Sequence, residues 1–442
     1  MCLTIPGKIK EIKEGIATVE NGQRTAQVDL GLVFDAKVGD WILYATDRAV
    51  KRISEEDAKE IISLLEDHYH PVDVSRLSLK FKKIIFKVRS GNHDLSKEEI
   101  EYLLKLKGKD NLETLFAEAN SIRKEEIEDF VCIHGIIEFS NYCKNNCLYC
   151  GIRRDNARLS RYRMTEDEIL VAVKDAVDNE GYKLIVMQSG EDDNYTDDYL
   201  LSIIKKIKKE VRAFIFISVG ERSREFYKNA FMVGASGSLI RFETSSNKLY
   251  EQLRPAHKLE DRLRSIRYQQ ELGYYVASGS MVGLPGQTLG DIAEDLLMIK
   301  KLGIPMVSAG PWIPSSGTPL EEFSNFQFPI FNKLSIIDFE MFKQAQIEMF
   351  LKYIAVARFM MPGIKIPVTT ALETLDPKNG RHRGLLAGAN ALMFNLTPDK
   401  FAGNYNIYDN KYREREKVWQ KYGLFQGEES YEMLEDRLKI NL

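Results

Sequence analysis

The sequence predicts an α/β protein in which a full (β/α)8 barrel follows a small, OB-like β-barrel domain. Between residues 131 and 400, short apolar strands alternate with amphipathic helices, the pattern of βα units around a parallel sheet. Before residue 66 the apolar runs are shorter and are separated by turns such as Asn21-Gly22, a strong hairpin signal. The 442 residues are therefore expected to form two folded parts of unequal size.

The smaller part, residues 1–66, is expected to contain four strands and one helix. The alternating runs that predict these strands are 8–12, 16–19, 25–30 and 41–44. Short strands joined by tight turns are typical of a small OB-like barrel. Ser54, with Asp57 three residues later, predicts the start of a helix because such a pair caps free N–H groups.

Residues 67–130 are polar and are broken at Pro71 and Gly91, which predicts a linker and a helical preface to the barrel. The barrel itself is expected at 131–400 and is predicted to be full, with eight strands. These strands are 133–139, 183–188, 213–219, 238–243, 275–282, 304–309, 366–371 and 390–395. Residues 401–442 are charged and rich in Tyr, which predicts a surface helix or C-terminal tail.

Three of the five cysteines, Cys143, Cys147 and Cys150, form a Cys-x3-Cys-x2-Cys run directly after the first predicted barrel strand. Three thiolates on one short loop suit a 4Fe–4S cluster and leave one iron open to bind a small molecule. A structural zinc site is the alternative, but it takes four ligands, no cysteine follows Cys150, and no His-x3-5-His pair exists. The odd cysteine count and the lack of a secretory signal disfavour a disulfide.

The overall charge gives no reason to expect nucleic acid or an anionic membrane as a partner. Lys and Arg number 62 against 65 Asp and Glu, a formal net charge of −3. The apolar runs are too short to cross a bilayer, and the N-terminus has no apolar signal region. We therefore expect a cytoplasmic protein with reduced thiols, which binds neither nucleic acid nor membrane.

Polar residues follow several predicted strands, at the edge that forms the active face of such a barrel. Gly190 permits close backbone approach, and Glu191 offers an acceptor for an ammonium group. Taken singly, each of these residues is better explained as an ordinary turn, core or ion-pair residue. Their joint placement at strand ends instead predicts a binding site, whose further members are Gln188, Ser189, Arg241, Glu243, Thr369, Thr370 and Met393.

The cysteine run after a first barrel strand resembles the signature of radical S-adenosylmethionine (SAM) enzymes. A closer resemblance, to the HydE family of FeFe-hydrogenase maturases, extends over roughly residues 95–405. It rests on the segments 136–141, 150–156, 188–192, 279–288 and 388–390. The resemblance implies a barrel of the radical SAM type, with a 4Fe–4S cluster on Cys143, Cys147 and Cys150 and SAM bound to the open iron.

The same resemblance implies roles for further residues by position. The residues implied to contact SAM are Tyr149, Gln188, Ser189, Glu191, Glu243, Arg262 and Tyr405. Those implied to line the substrate chamber are Arg241, Thr369, Thr370 and Met393. An external electron donor would reduce the cluster, and SAM would be cleaved to methionine and a 5′-deoxyadenosyl radical. In HydE the substrate is an iron–cysteine complex with CO and cyanide, so a small molecule or an iron complex is implied here.

This chain departs from the HydE pattern at two places. Gly237 stands where HydE has a second interior Arg, so one anion anchor is missing. The accessory C-terminal cysteines of some HydE proteins are absent, which predicts a single cluster. Cys132, beside the first barrel strand, is expected to be a small core residue.

The first nine residues, Met1–Ile9, and the run Val38–Leu43 resemble the HypC/HupF hydrogenase maturation chaperones. That resemblance implies that Cys2 carries an iron bearing CO and cyanide. The chain departs from the family at Ala45, where a His is usual, and at Asp47–Ala49, where Gly-Phe-Ala is usual. A small residue at a chain end is an equal explanation of Cys2, since nothing shows that its thiol is activated.

Three functions follow as hypotheses. The first is a HydE-like radical SAM enzyme with a fused HypC-like domain, which assembles a metal cofactor with other hydrogenase maturation proteins. The second is a radical mutase on an amino acid, of the methylornithine synthase type. The third is a scaffold that docks onto a partner without catalysis, which the intact cysteine run disfavours.

Overall fold

The computed structural model describes residues 5–21, 24–31, 33–45, 48–59, 77–127, 131–322, 329–331 and 339–413. Cys2, residues 67–76 and 128–130 of the predicted linker and preface, and residues 414–442 lie outside this part of the chain. The described residues fall into two compact units, and residues 5–59 belong to the first. Residues 77–127 and 133–413 belong to the second.

The first unit is a closed barrel of five short strands. They are β1 Ile5–Lys13, β2 Ile16–Asn21, β3 Arg24–Asp29, β4 Trp41–Ala45 and β5 Arg48–Ile53, in the order β1-β2-β3-β5-β4. The inward side chains of these strands form an apolar core that includes Ile9, Val19, Val28 and Ile42. The prediction of a small β-barrel is confirmed, with one strand more than the four expected. The fifth strand lacks an alternating apolar pattern because half of its side chains, those of Arg48, Lys51 and Arg52, are charged and exposed.

The second unit is built on an eight-stranded parallel sheet in the order β12-β10-β9-β8-β7-β6-β15-β14. These strands are β6 Cys132–Ser140, β7 Leu184–Ser189, β8 Phe214–Ser218, β9 Ala235–Leu239, β10 Tyr275–Ser278, β12 Met306–Val307, β14 Pro367–Val368 and β15 Ala391–Asn395. Between the two edge strands, Val307 N donates to Lys365 O at 2.8 Å and Lys365 N donates to Pro305 O at 3.2 Å. The sheet is therefore nearly closed, which confirms the predicted barrel.

Helices surround this sheet and precede it. They are α1 Leu79–Arg89, α2 Lys97–Leu104, α3 Lys109–Ile127, α4 Glu166–Lys174, α5 Asp197–Glu210, α6 Arg224–Met232, α7 Asn247–Leu253, α8 Leu259–Glu271, α9 Leu289–Lys301, α10 Phe339–Met360, α11 Thr370–Leu375, α12 Gly380–Leu386 and α13 Asp399–Ala402. A π-helical turn, Asp175–Asn179, follows α4, and a 3-10 turn spans Pro329–Phe331. The expected capping box of Thr165 with Glu168 is present at the start of α4. No helix among the described residues is long and apolar enough to cross a membrane.

Three of the predicted strands end at least three residues earlier than expected, and in each case the backbone leaves the sheet for a local reason. The fourth ends at Leu239 rather than at 243, and Glu243 has a left-handed φ of 67°. The fifth ends at Ser278, after which β11, Met281–Val282, pairs with β13, Gly310–Pro311, in a separate two-stranded sheet. The seventh ends at Val368 because α11 begins two residues later.

Residues 403–413, the described part of the predicted tail after α13, are partly buried, unlike the surface helix or tail that was expected. Tyr405, Tyr408 and Lys411 are buried. Gly151 N donates to Ile407 O at 2.9 Å, which holds the segment against the loop that carries the cysteines. Composition was a poor guide here because Lys and Tyr occur both at the surface and, when they have polar partners, in buried sites.

Gly237 in β9 is a site where a side chain cannot be added. A Cβ built there would lie 2.3 Å from the nearest ring atom of Phe216, which is fully buried in β8. We expect Gly237→Ala to lower the free energy of unfolding by roughly 1–3 kcal/mol because it overpacks the barrel interior. Urea denaturation followed by far-UV circular dichroism measures this change. Gly363→Ala is the matched control, since a Cβ there meets no atom within 4 Å; equal stability of the two variants would contradict the expectation.

Candidate functional site

A cavity of about 260 Å³ opens at the C-terminal ends of the barrel strands. Every site residue that was expected from the sequence and lies in the described part of the chain lines it. These residues are Cys143, Cys147, Tyr149, Cys150, Gln188, Ser189, Glu191, Arg241, Glu243, Arg262, Thr369, Thr370, Met393 and Tyr405. A parallel barrel brings strand ends that are distant in sequence to one edge, which explains the convergence.

The loop that carries the cysteines packs tightly against the ends of neighbouring elements. Lys144 N donates to Glu191 O at 2.8 Å, which ties the loop to the end of β7. At Gly190 a Cβ would lie 2.1 Å from Tyr142 O and 2.8 Å from Cys143 Cβ, so only glycine allows this approach. The three thiols are thereby held on one side of the cavity.

Burial raises the pKa of all three thiols, that of Cys143 to about 11. For Cys147, a hydrogen bond and the positive charge of Arg254 act in the opposite direction. Thiolates are the form that binds metal, and bound iron supplies the positive charge that favours them in a buried site. Among the described residues that line the cavity there is no His and no fourth Cys. Three sulfur donors on one loop thus fit a 4Fe–4S cluster with an open iron better than they fit structural zinc.

Two carboxylates and two guanidinium groups lie beside the thiols. Arg262 Nε is 2.7 Å from Glu221 Oε1, and Arg254 Nη1 is 3.5 Å from the same oxygen. Arg254 Nη2 lies 3.9 Å from Glu191 Oε1. Burial raises the pKa of Glu191, while Arg254 opposes this rise. Buried groups of both signs can bind a zwitterion, with the carboxylates facing its ammonium group and the guanidinium groups facing its carboxylate.

Sequence reasoning missed Arg254, which directly follows α7 and does not end a strand. It is almost fully buried, and its Nη1 donates to Tyr250 OH at 2.8 Å. Its only sequence signal is an Arg next to Pro255 at the end of a helix, which is common at structural positions as well.

Glu243 and Arg241 also line the cavity, and their side chains are 3.2 Å apart. The backbone of Glu243 is held by two hydrogen bonds, from its N to Gly279 O at 3.2 Å and from Met281 N to its O at 2.8 Å. A non-glycine residue with positive φ costs of the order of 1–3 kcal/mol, and such residues cluster at functional sites. The strain therefore supports a functional role for this carboxylate.

The remaining predicted residues form the aromatic and hydroxyl part of the wall. Gln188 Nε2 donates to Tyr405 OH at 3.4 Å. The hydroxyls of Thr370 and Tyr408 are 2.8 Å apart. Thr369 Oγ1 is buried and has no hydrogen-bond partner in the described part of the chain. An unpaired hydroxyl at the wall of a cavity is available to a ligand.

A buried ion pair between Glu138 and Lys411 was also missed. Both side chains are 2% exposed, and Lys411 Nζ binds Glu138 Oε1. Asn395 Nδ2 donates to the other carboxylate oxygen at 3.0 Å, and the Lys411 ammonium lies 4.9 Å from the centre of the Tyr405 ring. Glu138 within an otherwise apolar strand was a usable signal of a buried charge, but its partner 273 residues away was not predictable.

Removing one member of this pair leaves the other charged and unpaired in a buried site. We expect Lys411→Met to destabilise the barrel by about 3–5 kcal/mol, and Lys411→Met with Glu138→Gln to recover much of the loss. Urea denaturation of the three proteins measures the coupling. Lys400→Met is the control, because Lys400 pairs with Glu168 at the surface, where such pairs contribute about 0–1 kcal/mol. A single variant no less stable than this control would contradict the buried-pair interpretation.

Comparison with known proteins agrees with this geometry. The model of the radical SAM superfamily matches residues 137–299, and that of the HupF/HypC family matches residues 1–65. The "[FeFe] hydrogenase maturase subunit HydE" of Thermotoga maritima is 40% identical over 72% of this chain and 85% of its own length.

More distant relatives share the barrel. The "3-methylornithine synthase" of Methanosarcina acetivorans is 29% identical over 73% of this chain and 86% of its own length. The crystal structure of methylornithine synthase (PylB) superposes with a TM-score of 0.65 and 26% identity, and covers 77% of this chain and 95% of that one. At 40% identity over most of both sequences, the chain belongs to the HydE family of the radical SAM superfamily.

Proposed function

We propose that this enzyme binds a 4Fe–4S cluster and SAM and acts in the assembly of a hydrogenase metal cofactor. The observation that carries the proposal is the meeting of three thiols with Glu191, Arg254 and Arg262 in one cavity. The thiols would hold three irons, and the charged groups match the amino-acid end of SAM, which must lie beside the open iron. A bound and reduced 4Fe–4S cluster supplies the electron that cleaves the sulfonium C–S bond, giving methionine and a 5′-deoxyadenosyl radical.

Different side chains of the cavity bind different parts of SAM. Glu191 accepts hydrogen bonds from the ammonium group, which Ser189 also contacts, and Arg262 and Arg254 bind the carboxylate. Tyr149, Gln188 and Tyr405 lie where the nucleoside binds. Glu243, held in place by its backbone contacts, faces the ribose or sulfonium end.

Arg241, Thr369, Thr370 and Met393 line the same cavity, and we propose that they form the substrate chamber. Arg241 can bind an anionic group, and the free hydroxyl of Thr369 can donate to it. Tyr405, Ile407, Tyr408 and Lys411 also line the cavity, and this part of the wall would limit the access of water and of other hydrogen donors to a radical. A shielded chamber is what a reactive carbon radical requires.

A role in hydrogenase maturation is supported from both parts of the chain. The barrel belongs to the HydE family. Residues 1–65 match the HupF/HypC family, and the resemblance to that family implies an iron carrier. We propose that Cys2 takes this carrier role, with other maturation proteins as partners. Covalent linkage of a carrier to the enzyme raises the effective concentration of its cargo.

A second candidate is an amino-acid mutase, favoured by the 29% identity with 3-methylornithine synthase. Because Gly237 stands where HydE has a second interior Arg, Arg241 would bind one carboxylate. A simple amino acid has one such group.

Anaerobic incubation of the full-length protein with iron, sulfide, dithionite and SAM tests the proposal. We expect 5′-deoxyadenosine and methionine from the parent and background levels from Cys150→Ala, which removes one cluster ligand. Cys132→Ala is the matched control, because Cys132 is buried but does not line the cavity. A parent that binds iron yet cleaves no SAM would refute the proposed reaction.

Addition of lysine to the same reaction separates the two candidates. A rearranged amino acid identifies a mutase, whereas unchanged lysine with continued SAM cleavage supports the maturase.

A further inference from the structure

Arg161 binds the backbone of the loop that carries the cysteines. Its guanidinium group donates to five backbone carbonyl oxygens that flank the cysteine run on both sides. Nη1 donates to Asn141 O at 2.5 Å and to Ile152 O at 2.9 Å, and Nη2 to Arg153 O at 2.5 Å, Asn156 O at 3.3 Å and Arg154 O at 3.4 Å. One side chain therefore joins the chain before Cys143 to the chain after Cys150.

Arg161 differs from two nearby arginines in the kind of group that its guanidinium binds. Arg163 pairs with Asp192 at 2.7 Å, and Arg158 pairs with Glu321 at 2.7 Å. Within the described part of the chain, the hydrogen-bond partners of Arg161 are neutral carbonyls. Arginine remains protonated in proteins, so this guanidinium brings a positive charge to the loop that carries the thiols. Partial burial lowers the pKa of the guanidinium.

Hydrogen bonding alone does not require a charged residue at this place. Asn141 Nδ2 donates to Ser160 O at 2.8 Å and to Asn404 O at 2.7 Å, and Asn156 Nδ2 donates to Gly151 O at 2.7 Å. Neutral amides thus already bind Gly151 O in this loop and join Asn141 to two neighbouring segments. A guanidinium adds a fixed charge, and partly burying that charge without a carboxylate is unfavourable unless another negative group lies near.

We propose that Arg161 is a positioning residue that also favours the reduced state of the cluster held by Cys143, Cys147 and Cys150. The inference rests on the proposed 4Fe–4S site and deepens it. Reduction by the external donor adds one negative charge to the cluster, and a nearby positive charge in a poorly solvated site stabilises that charge. The reduction potential of such clusters depends on net charge and hydrogen bonding around them.

Two substitutions separate the charge from the hydrogen bonds. Arg161→Gln removes the charge and keeps a donor, whereas Arg161→Lys keeps the charge and loses the planar fork. Iron content and an EPR-monitored redox titration of the reconstituted full-length protein, without SAM, are the measurements. We expect Arg161→Gln to make reduction about tenfold less favourable, a shift of about 59 mV to lower potential for one electron. Arg161→Lys should retain the parental potential.

Arg158→Gln is the matched control, because it removes an exposed charge from the same segment that is already paired with Glu321. Its potential should be unchanged. An Arg161→Gln protein with the parental reduction potential would overturn the proposal. Loss of iron from both Arg161 variants would also overturn it, because Arg161 would then only hold the loop in place. A parent that binds a cluster but cleaves no SAM would refute the proposed reaction and leave this comparison of potentials intact.

Discussion

Desolvation is the constraint on which the cavity depends. Charges taken out of water are tolerated only when paired, and most of the buried charges here are paired within the protein. Glu191 and Glu221 face Arg254 and Arg262, while Glu138 binds Lys411. The thiols are different, because burial raises their pKa and, at Cys147, the positive charge of Arg254 acts in the opposite direction. Their ionised form is favoured by a cationic group, and a bound iron–sulfur cluster would meet that need.

The fold was predictable because periodicity and turn signals are local. Alternation of short strands and helices gave eight barrel strands, and each is present. The fifth strand of the small barrel was missed because Arg48, Lys51 and Arg52 hide its alternation. The end of β9 was misplaced because apolar residues continue past Leu239, although the chain has left the sheet there. Local patterns indicate which segments are extended, but not where a hydrogen-bonded ladder stops.

The site was predictable where a sequence pattern occurs in only a few kinds of structure. Three closely spaced cysteines after a strand suit few structures, and the loop lies at the cavity. Arg254 and Lys411 are common residue types whose meaning comes from partners far away in the chain. No sequence signal distinguishes Lys411, which is buried, from Lys400, which is 62% exposed at its side chain. Such pairs become visible only when the barrel brings both partners together.

The strained backbone at Glu243 also depends on a distant group. Asp295 in α9 is fully buried and accepts hydrogen bonds from Ser245 N at 2.6 Å, from Ser245 Oγ at 2.7 Å and from Gln287 Nε2 at 3.2 Å. Gln287 Oε1 in turn accepts from Gly283 N at 2.8 Å. One carboxylate thus joins the turn after Glu243 to the turn after β11. Strain persists only where surrounding contacts over-determine it, and this network supplies them without touching the cavity. The orientation of the Glu243 carboxylate toward SAM would then be set by a helix outside the site.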